Sequence, residues 1–236
     1  MYSGFVGIGQ SLDFDAVTDT LVVSGVNPNR SAHAVYRSGS PPSGTSCGGH
    51  FEHIGTFGDS AFLPMLHAST MDAHSQRLFV DLALGKQGPA GVGVIDLTGK
   101  KPMRVIPEPP PHGLCAMHFD AKANRLKGIF VAAGAPSLQL HSLNPEVGGK
   151  WDAPKDISGV PSDWNMLAGN AGTVSTFDAA SRSLFFLAGT QTQAGDEVVY
   201  LAAMDTDTAA LTAHPKLGKI GLGGSGLQAL EFDGDE

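Results

Sequence analysis

The sequence predicts an all-β chain of short antiparallel strands, and three features predict it. Gly and Pro supply 31 and 15 of the 236 residues, a density of turn formers that leaves little room for long helices. Hydrophobic residues reach 42% and charged residues only 16%, which is too apolar for a disordered chain and enough for a packed core. The third feature is a repeat. Asp15-Ala16 is followed by Leu21, Asp72-Ala73 by Leu78, Asp120-Ala121 by Leu126 and Asp178-Ala179 by Leu184, with the Leu six residues past the Asp each time. At ordinary residue frequencies such a pattern is expected roughly 0.1 times in a chain of this length, so its copies mark a repeated module. A partial fifth copy is Asp233-Gly234, and the Asp-to-Asp spacings are 57, 48, 58 and 55.

Each module reads as four strands. An innermost strand runs into the Asp, as in Gly9 to Phe14, Leu114 to Phe119 and Thr173 to Phe177, with Phe14, Met71, Phe119, Phe177 or Phe232 just before it. The Asp then opens a turn, because its carboxylate accepts hydrogen bonds from backbone N–H groups two residues on. The second strand begins near the repeated Leu: Leu21 to Ser24, Leu78 to Leu82, Leu126 to Val131 and Leu184 to Leu187. The third is expected at Ala34 to Arg37, Gly93 to Leu97, Leu138 to Leu143 and Val198 to Met204. The fourth is expected at Phe51 to Ile54, Met103 to Ile106, Lys155 to Ile157 and Lys216 to Ile220.

Four short strands in roughly 50 residues is the arithmetic of a β-propeller blade. The chain resembles the broad superfamily of WD40-like, YVTN-like and NHL-like β-propellers, in architecture rather than in any one family. Its one Trp-Asp dipeptide, Trp151-Asp152, lies outside the repeat. The predicted fold is therefore a propeller of four four-stranded blades, 8–59, 64–110, 112–161 and 170–221, plus the first strand of a fifth, 225–236. Because both ends contribute an innermost strand, they duplicate rather than complete one another. This predicts one domain over 1–236 that is part of a larger propeller; the alternatives are closure as a four-bladed ring with the fifth strand redundant, or edge-to-edge self-association of two chains.

Function is less legible. Fifteen basic against 23 acidic residues give net −8, which argues against a nucleic-acid backbone binder. No apolar run approaches the roughly 20 residues of a membrane-spanning helix. The N-terminus has neither the basic nor the apolar region of a secretory signal, so the default compartment is cytoplasmic. Cys47 and Cys115 are too few for a disulfide framework.

Propeller ligands bind near the axis, where the chain enters each innermost strand. Aligned on the Asp, Gln10, His67, Cys115, Thr173 and Gln228 share one row, and His112 and Asn170 lie three residues earlier. Gln10, His67, His112, Asn170, Thr173 and Gln228 are the expected axial ligand-binding residues, set against a solvated polar funnel. A second row, two residues before the Asp, holds Asp13, Thr70, His118, Thr176 and Glu231. It reads as an acid/base set with a titrating His118, or, preferably, as hydrogen bonding between neighbouring blades. Cys47, His50 and His53 are weak metal candidates, since three ligands within seven residues do not match structural zinc spacing. Gly221-x-Gly223-x-x-Gly226 matches a dinucleotide fingerprint as a string, but a strand rather than a helix follows it. The expected function is a non-catalytic scaffold binding a protein or other ligand through its axial face and loops. The alternative is a propeller enzyme of lactonase, lyase or quinoprotein-like type. No cofactor is evident, and an axial metal belongs to that alternative.

Overall fold

A computed structural model describes residues 9–15, 17–26, 33–39, 50–57, 62–84, 91–107, 114–131, 138–146, 149–164, 166–167, 175–191 and 197–218. They form four antiparallel sheets. The first is β1 (Gly9–Asp15), β2 (Thr20–Val26), β3 (His33–Gly39) and β4 (His50–Phe57) in chain order. The second is β5 (Phe62–Asp72), β6 (Arg77–Leu84), β7 (Gly91–Asp96) and β8 (Arg104–Pro107). The third is β9 (Leu114–Asp120), β10 (Arg125–Val131), β11 (Leu138–Leu143) and β12 (Lys155–Asp156). Among the described residues no helix is long and apolar enough to cross a membrane.

The fourth sheet departs from the expected pattern at both ends. Its inner position is split between β13 (Met166–Leu167) and β14 (Ser175–Asp178), both paired to β15 (Ser183–Gln191). Its outer position is split between β17 (Ala210–Ala213) and β18 (Lys216–Gly218), both paired to β16 (Glu197–Asp205). Pro215 stands between β17 and β18. It has no N–H to donate to a ladder, yet its carbonyl still accepts from Leu201 N–H at 3.0 Å. β5 also carries a register shift between Pro64 and Ser69.

The chain divides into two compact units, Met1–Met65 with Ser69–Pro107, and Leu66–Ala68 with Glu108–Glu236. Each has a core between two sheets. In the first unit, Val22 and Val35 of one sheet pack with Leu78, Val80, Leu82, Ile95 and Leu97 of the next. In the second, Ala116, Ile129 and Leu140 pack with Leu184, Phe186, Ala202 and Met204.

Two copies of the repeated Leu, Leu78 and Leu184, belong to these seams. In the second sheet Met71, Leu78 and Ile95 lie in one cross-strand row, and in the fourth Phe177, Leu184, Met204 and Leu211 do. Leu78, Leu126 and Leu184 are each 0% exposed, whereas Leu21 is 38% exposed. Burying a Leu fully is worth about 1.5–3 kcal/mol. Leu184→Ala is therefore expected to cost about 2–5 kcal/mol, and Leu21→Ala well under half of that. Denaturant unfolding of the two variants checks the contrast.

Candidate functional site

The repeated Asp is an organising centre of its turn. Asp15 Oδ1 accepts Val17 N–H at 3.0 Å and Thr18 N–H at 3.2 Å. Asp72 accepts Ser75 N–H at 3.1 Å, Asp120 accepts Ala123 N–H at 3.1 Å, and Asp178 accepts Ala180 N–H at 2.8 Å. The residue four past each Asp is left-handed: Asp19 (φ 53), Gln76 (φ 52), Asn124 (φ 50) and Arg182 (φ 61). Asp205 builds the same turn between β16 and β17, accepting Asp207 and Thr208 N–H groups, with Ala209 left-handed (φ 58).

That left-handed residue does more than close a hairpin. In the second and fourth sheets its side chain reaches the Asp of the preceding sheet in the same unit. Gln76 donates from Nε2 to Asp15 Oδ2 at 2.8 Å, and Arg182 Nη1 sits 2.6 Å from Asp120 Oδ2. Arg37 adds a second donor beside Asp15, its Nη2 at 3.5 Å from Oδ2 and also bonded to Gln76 Oε1. Burial pushes the Asp15 carboxyl up, but the bonds from Thr18, Gln76 and the turn amides outweigh it and hold it below the ordinary value.

The second unit has the fuller version. Lys127 lies in β10, 3.3 Å from Asp120 Oδ2, and donates to Thr206 Oγ1 of the next sheet at 2.8 Å. Thr206 Oγ1 in turn donates to the Arg182 carbonyl at 3.0 Å. Arg182 also holds Asp207, Nη2 to Oδ1 at 2.7 Å. Two cations and two carboxylates thus neutralise one another across the seam. Burial raises the Asp120 carboxyl, but Ala123 N–H, Arg182 and Lys127 outweigh it and lower it. The Arg182 bond pulls Asp207 to about 2.

The row two residues before the Asp also joins sheets within each unit. Ser69 donates to Asp13 Oδ2 at 2.9 Å. His118 stacks on Phe177, ring centroids 3.8 Å apart and 21° between planes. Burial drives His118 from its ordinary 6.5 to about 3; Asp120 opposes the shift while Lys127 and Arg182 add to it. The His118 ring is held neutral at physiological pH, so it does not titrate near neutrality.

Of the expected axial residues, Gln10 lies in β1 and His67 in β5, while His112, Asn170, Thr173 and Gln228 fall outside the described residues. Cys47 also falls outside them; His50 lies in β4, and His53 in the same strand sits against Tyr36 with ring centroids 5.1 Å apart. Cys115 lies in β9, and Gly221, Gly223 and Gly226 fall outside the described residues. The seam residues Gln76, Lys127, Arg182, Thr206 and Asp207 were not singled out from the sequence. Two signals pointed to them: the position four past the Asp is polar in all four copies, and Lys127 interrupts the apolar run Leu-Lys-Gly-Ile-Phe-Val.

No protein-family model matches the sequence. No curated protein matches it. Solved structures do resemble it. Oligogalacturonate lyase from Vibrio parahaemolyticus aligns with TM-score 0.51 and 9% identity over 86% of this chain and 51% of that one. A GH74 enzyme from Niastella koreensis aligns with TM-score 0.52 and 14% identity over 89% and 30%. An exo-β-1,3-galactanase from Phanerochaete chrysosporium, solved with β-1,3-galactotriose, gives 0.50 and 13% over 85% and 46%. The chain spans about half or less of the length of these three proteins. At such identity the likeness is one of fold: the chain is an all-β protein of the β-propeller class.

The neutral His118 sets an acid dependence. Its folded value near 3 lies below the ordinary 6.5, so between those pH values the unfolded chain binds the extra proton. Stability then falls as pH drops from 6.5 toward 3, by up to about 1.4 kcal/mol per pH unit. His118→Phe keeps an aromatic ring on Phe177 and removes this contribution. Melting temperatures from pH 7 to pH 4 are expected to fall less steeply in the variant.

Proposed function

We propose that the chain is a non-catalytic propeller scaffold that binds a protein or other ligand through its axial face and the loops between second and third strands. The reading takes 1–236 as one propeller domain with blades 8–59, 64–110, 112–161 and 170–221 and a partial fifth, 225–236. It keeps the resemblance to WD40-like, YVTN-like and NHL-like propellers as one of architecture. The observation that carries it is the use of buried charge. Asp15, Asp120 and Lys127 are 0%, 1% and 5% exposed, and each is engaged by the neighbouring sheet of its unit through Gln76, Arg182 or Thr206. These ionisable groups hold strands in place. Recognition is left to the axial row of Gln10, His67, His112, Asn170, Thr173 and Gln228, and to loops 25–33, 85–92, 132–137 and 189–197. Loops on a rigid repeated scaffold are where binding residues concentrate.

The enzyme alternative requires an axial metal or cofactor. Metal analysis of the purified full chain, of His67→Ala and of His112→Ala separates the two. The scaffold reading expects no stoichiometric metal in any of them. It also expects a protein retained by the immobilised chain to be released at least several-fold faster from Gln10→Ala or His67→Ala. Stoichiometric metal that either histidine substitution removes would overturn it.

A further inference from the structure

The two sheets of the second unit are joined outside their apolar seam as well as within it. β12 pairs with β11 through Lys155 and Asp156, and the Ile157 N–H extends that ladder to the Leu138 carbonyl at 2.8 Å. The next residue changes sheets. Ser158 N–H donates to the Ala209 carbonyl at 3.0 Å, and Leu211 N–H donates to the Ser158 carbonyl at 3.0 Å. Ser158 thus forms a parallel bridge onto β17. Lys155 adds a bond from Nζ to the Asp207 carbonyl at 3.0 Å. Gly159 is left-handed (φ 80), a backbone that suits a residue without Cβ, and it follows the bridge directly. Residues 155–164 therefore form a strap, pinned by Ile157 and Trp164, which are 7% and 4% exposed in the shared core. Trp164 lies against Tyr200 and His214, with ring centroids 5.5 and 5.7 Å away.

The strap fastens a weakly held edge. β17 is four residues long, a register shift between Ala203 and Met204 breaks its pairing with β16, and Pro215 separates it from β18. An edge held by few backbone bonds belongs to the low end of local stability. Between its two buried pins the strap is exposed at Ser158, Gly159, Ser162 and Asp163, so its bonds to β17 compete with water. What this edge covers is a charge. The turn 205–210 lies over Lys127, whose amine donates to Thr206 Oγ1 at 2.8 Å and stands 3.5 Å from Asp207. On its own sheet the amine meets Asp120 at 3.3 Å, and Lys127 is only 5% exposed. The Arg182–Asp207 pair holds the same turn from inside, but the Asp207 side chain is 57% exposed, where an ion pair contributes little.

We infer that residues 155–164 are a latch and residues 205–211 the lid it fastens, a lid that opens over Lys127 while the rest of the unit stays folded. In the closed arrangement Lys127 and Arg182 are matched by Asp120 and Asp207. Opening withdraws Asp207 and leaves the two cations facing Asp120 alone, so the open seam is cationic. The inference rests on neither the scaffold reading nor the axial residues.

The full chain is treated with an amine-acylating reagent under native conditions, and peptide mass spectrometry follows Lys127 beside the exposed Lys122. Amide hydrogen exchange follows Leu211 in the lid and Ile129 in β10, a strand paired on both sides. In the unmodified chain Lys127 is expected to label more slowly than Lys122, yet to be protected several-fold less than the Ile129 amide. Lys155→Met with Gly159→Ala removes one clasp and strains the turn beside the other. Lys127 labelling and Leu211 exchange then both rise several-fold while Ile129 exchange stays unchanged. The inference is overturned if Lys127 is protected as strongly as Ile129, because the amine is then reached only when the unit unfolds. It is equally overturned if the paired substitutions leave Lys127 and Leu211 unchanged, or speed them only in step with Ile129. Lys155→Met alone, at an exposed position, is expected to give a smaller rise of the same sign. That variant and the comparison in the unmodified chain decide even where the double variant fails to fold.

Discussion

A turn carboxylate that serves two masters holds each described seam together. The Asp closing the innermost strand accepts amides of its own turn, as the Val17 and Thr18 N–H groups do on Asp15. The same carboxylate takes a side chain from the next sheet: Asp15 accepts a hydrogen bond from Gln76, and Asp120 forms an ion pair with Arg182. The first set of bonds fixes the hairpin; the second fixes the sheet's neighbour. A buried carboxylate left without these partners is destabilising. At the two described seams the residue four past the Asp is left-handed and also carries a reaching donor, Gln76 in one and Arg182 in the other. Left-handed backbone is unfavourable for such residues on local grounds, so the seam contact offsets a local cost.

The two units reach the same end with different chemistry. Asp15 is answered by a neutral amide with Arg37 standing behind it. Asp120 is answered by two cations, and Asp207 closes the cluster from the far turn. The apolar side of the seam follows the same division. Val22 and Val35 receive Leu78, Val80 and Leu82 in the first unit, and Ala116, Ile129 and Leu140 receive Leu184, Phe186 and Met204 in the second. His118 fits this setting as an aromatic ring and not as an acid or base, because burial holds it neutral against Phe177.

Much of this fold was legible because it rests on local and periodic signals. The Asp-to-Leu offset placed the hairpins, and the recurrence of the four-strand module placed most strands within a residue or two of where they lie. The split edges of the fourth sheet were not legible. β17 (Ala210–Ala213) lies directly after an Asp205 turn that obeys the same offset to Leu211, but Asp-Thr replaces Asp-Ala there and hides the likeness. β13 (Met166–Leu167) is two residues long, too short for any period to register. The seam residues were hidden for another reason. Lys127 looks like a misplaced charge on a strand until Asp120, Thr206 and Asp207 are brought to it, and two of those lie about 80 positions away in sequence. Exposure of the Phe14 and Leu21 pair was equally invisible, since sequence equivalence alone gives those residues the same fate as Leu78 and Leu184.

The dependence of the seam on a shared carboxylate is tested most directly by a double-mutant cycle on Asp120→Asn and Arg182→Gln, read by denaturant unfolding. If Asp120 and Arg182 act as one contact across two sheets, the losses are non-additive, with a coupling of about 1–3 kcal/mol. Losses that add to within about 0.5 kcal/mol would mean that the two side chains stabilise their own turns independently and that the seam is held by apolar packing alone.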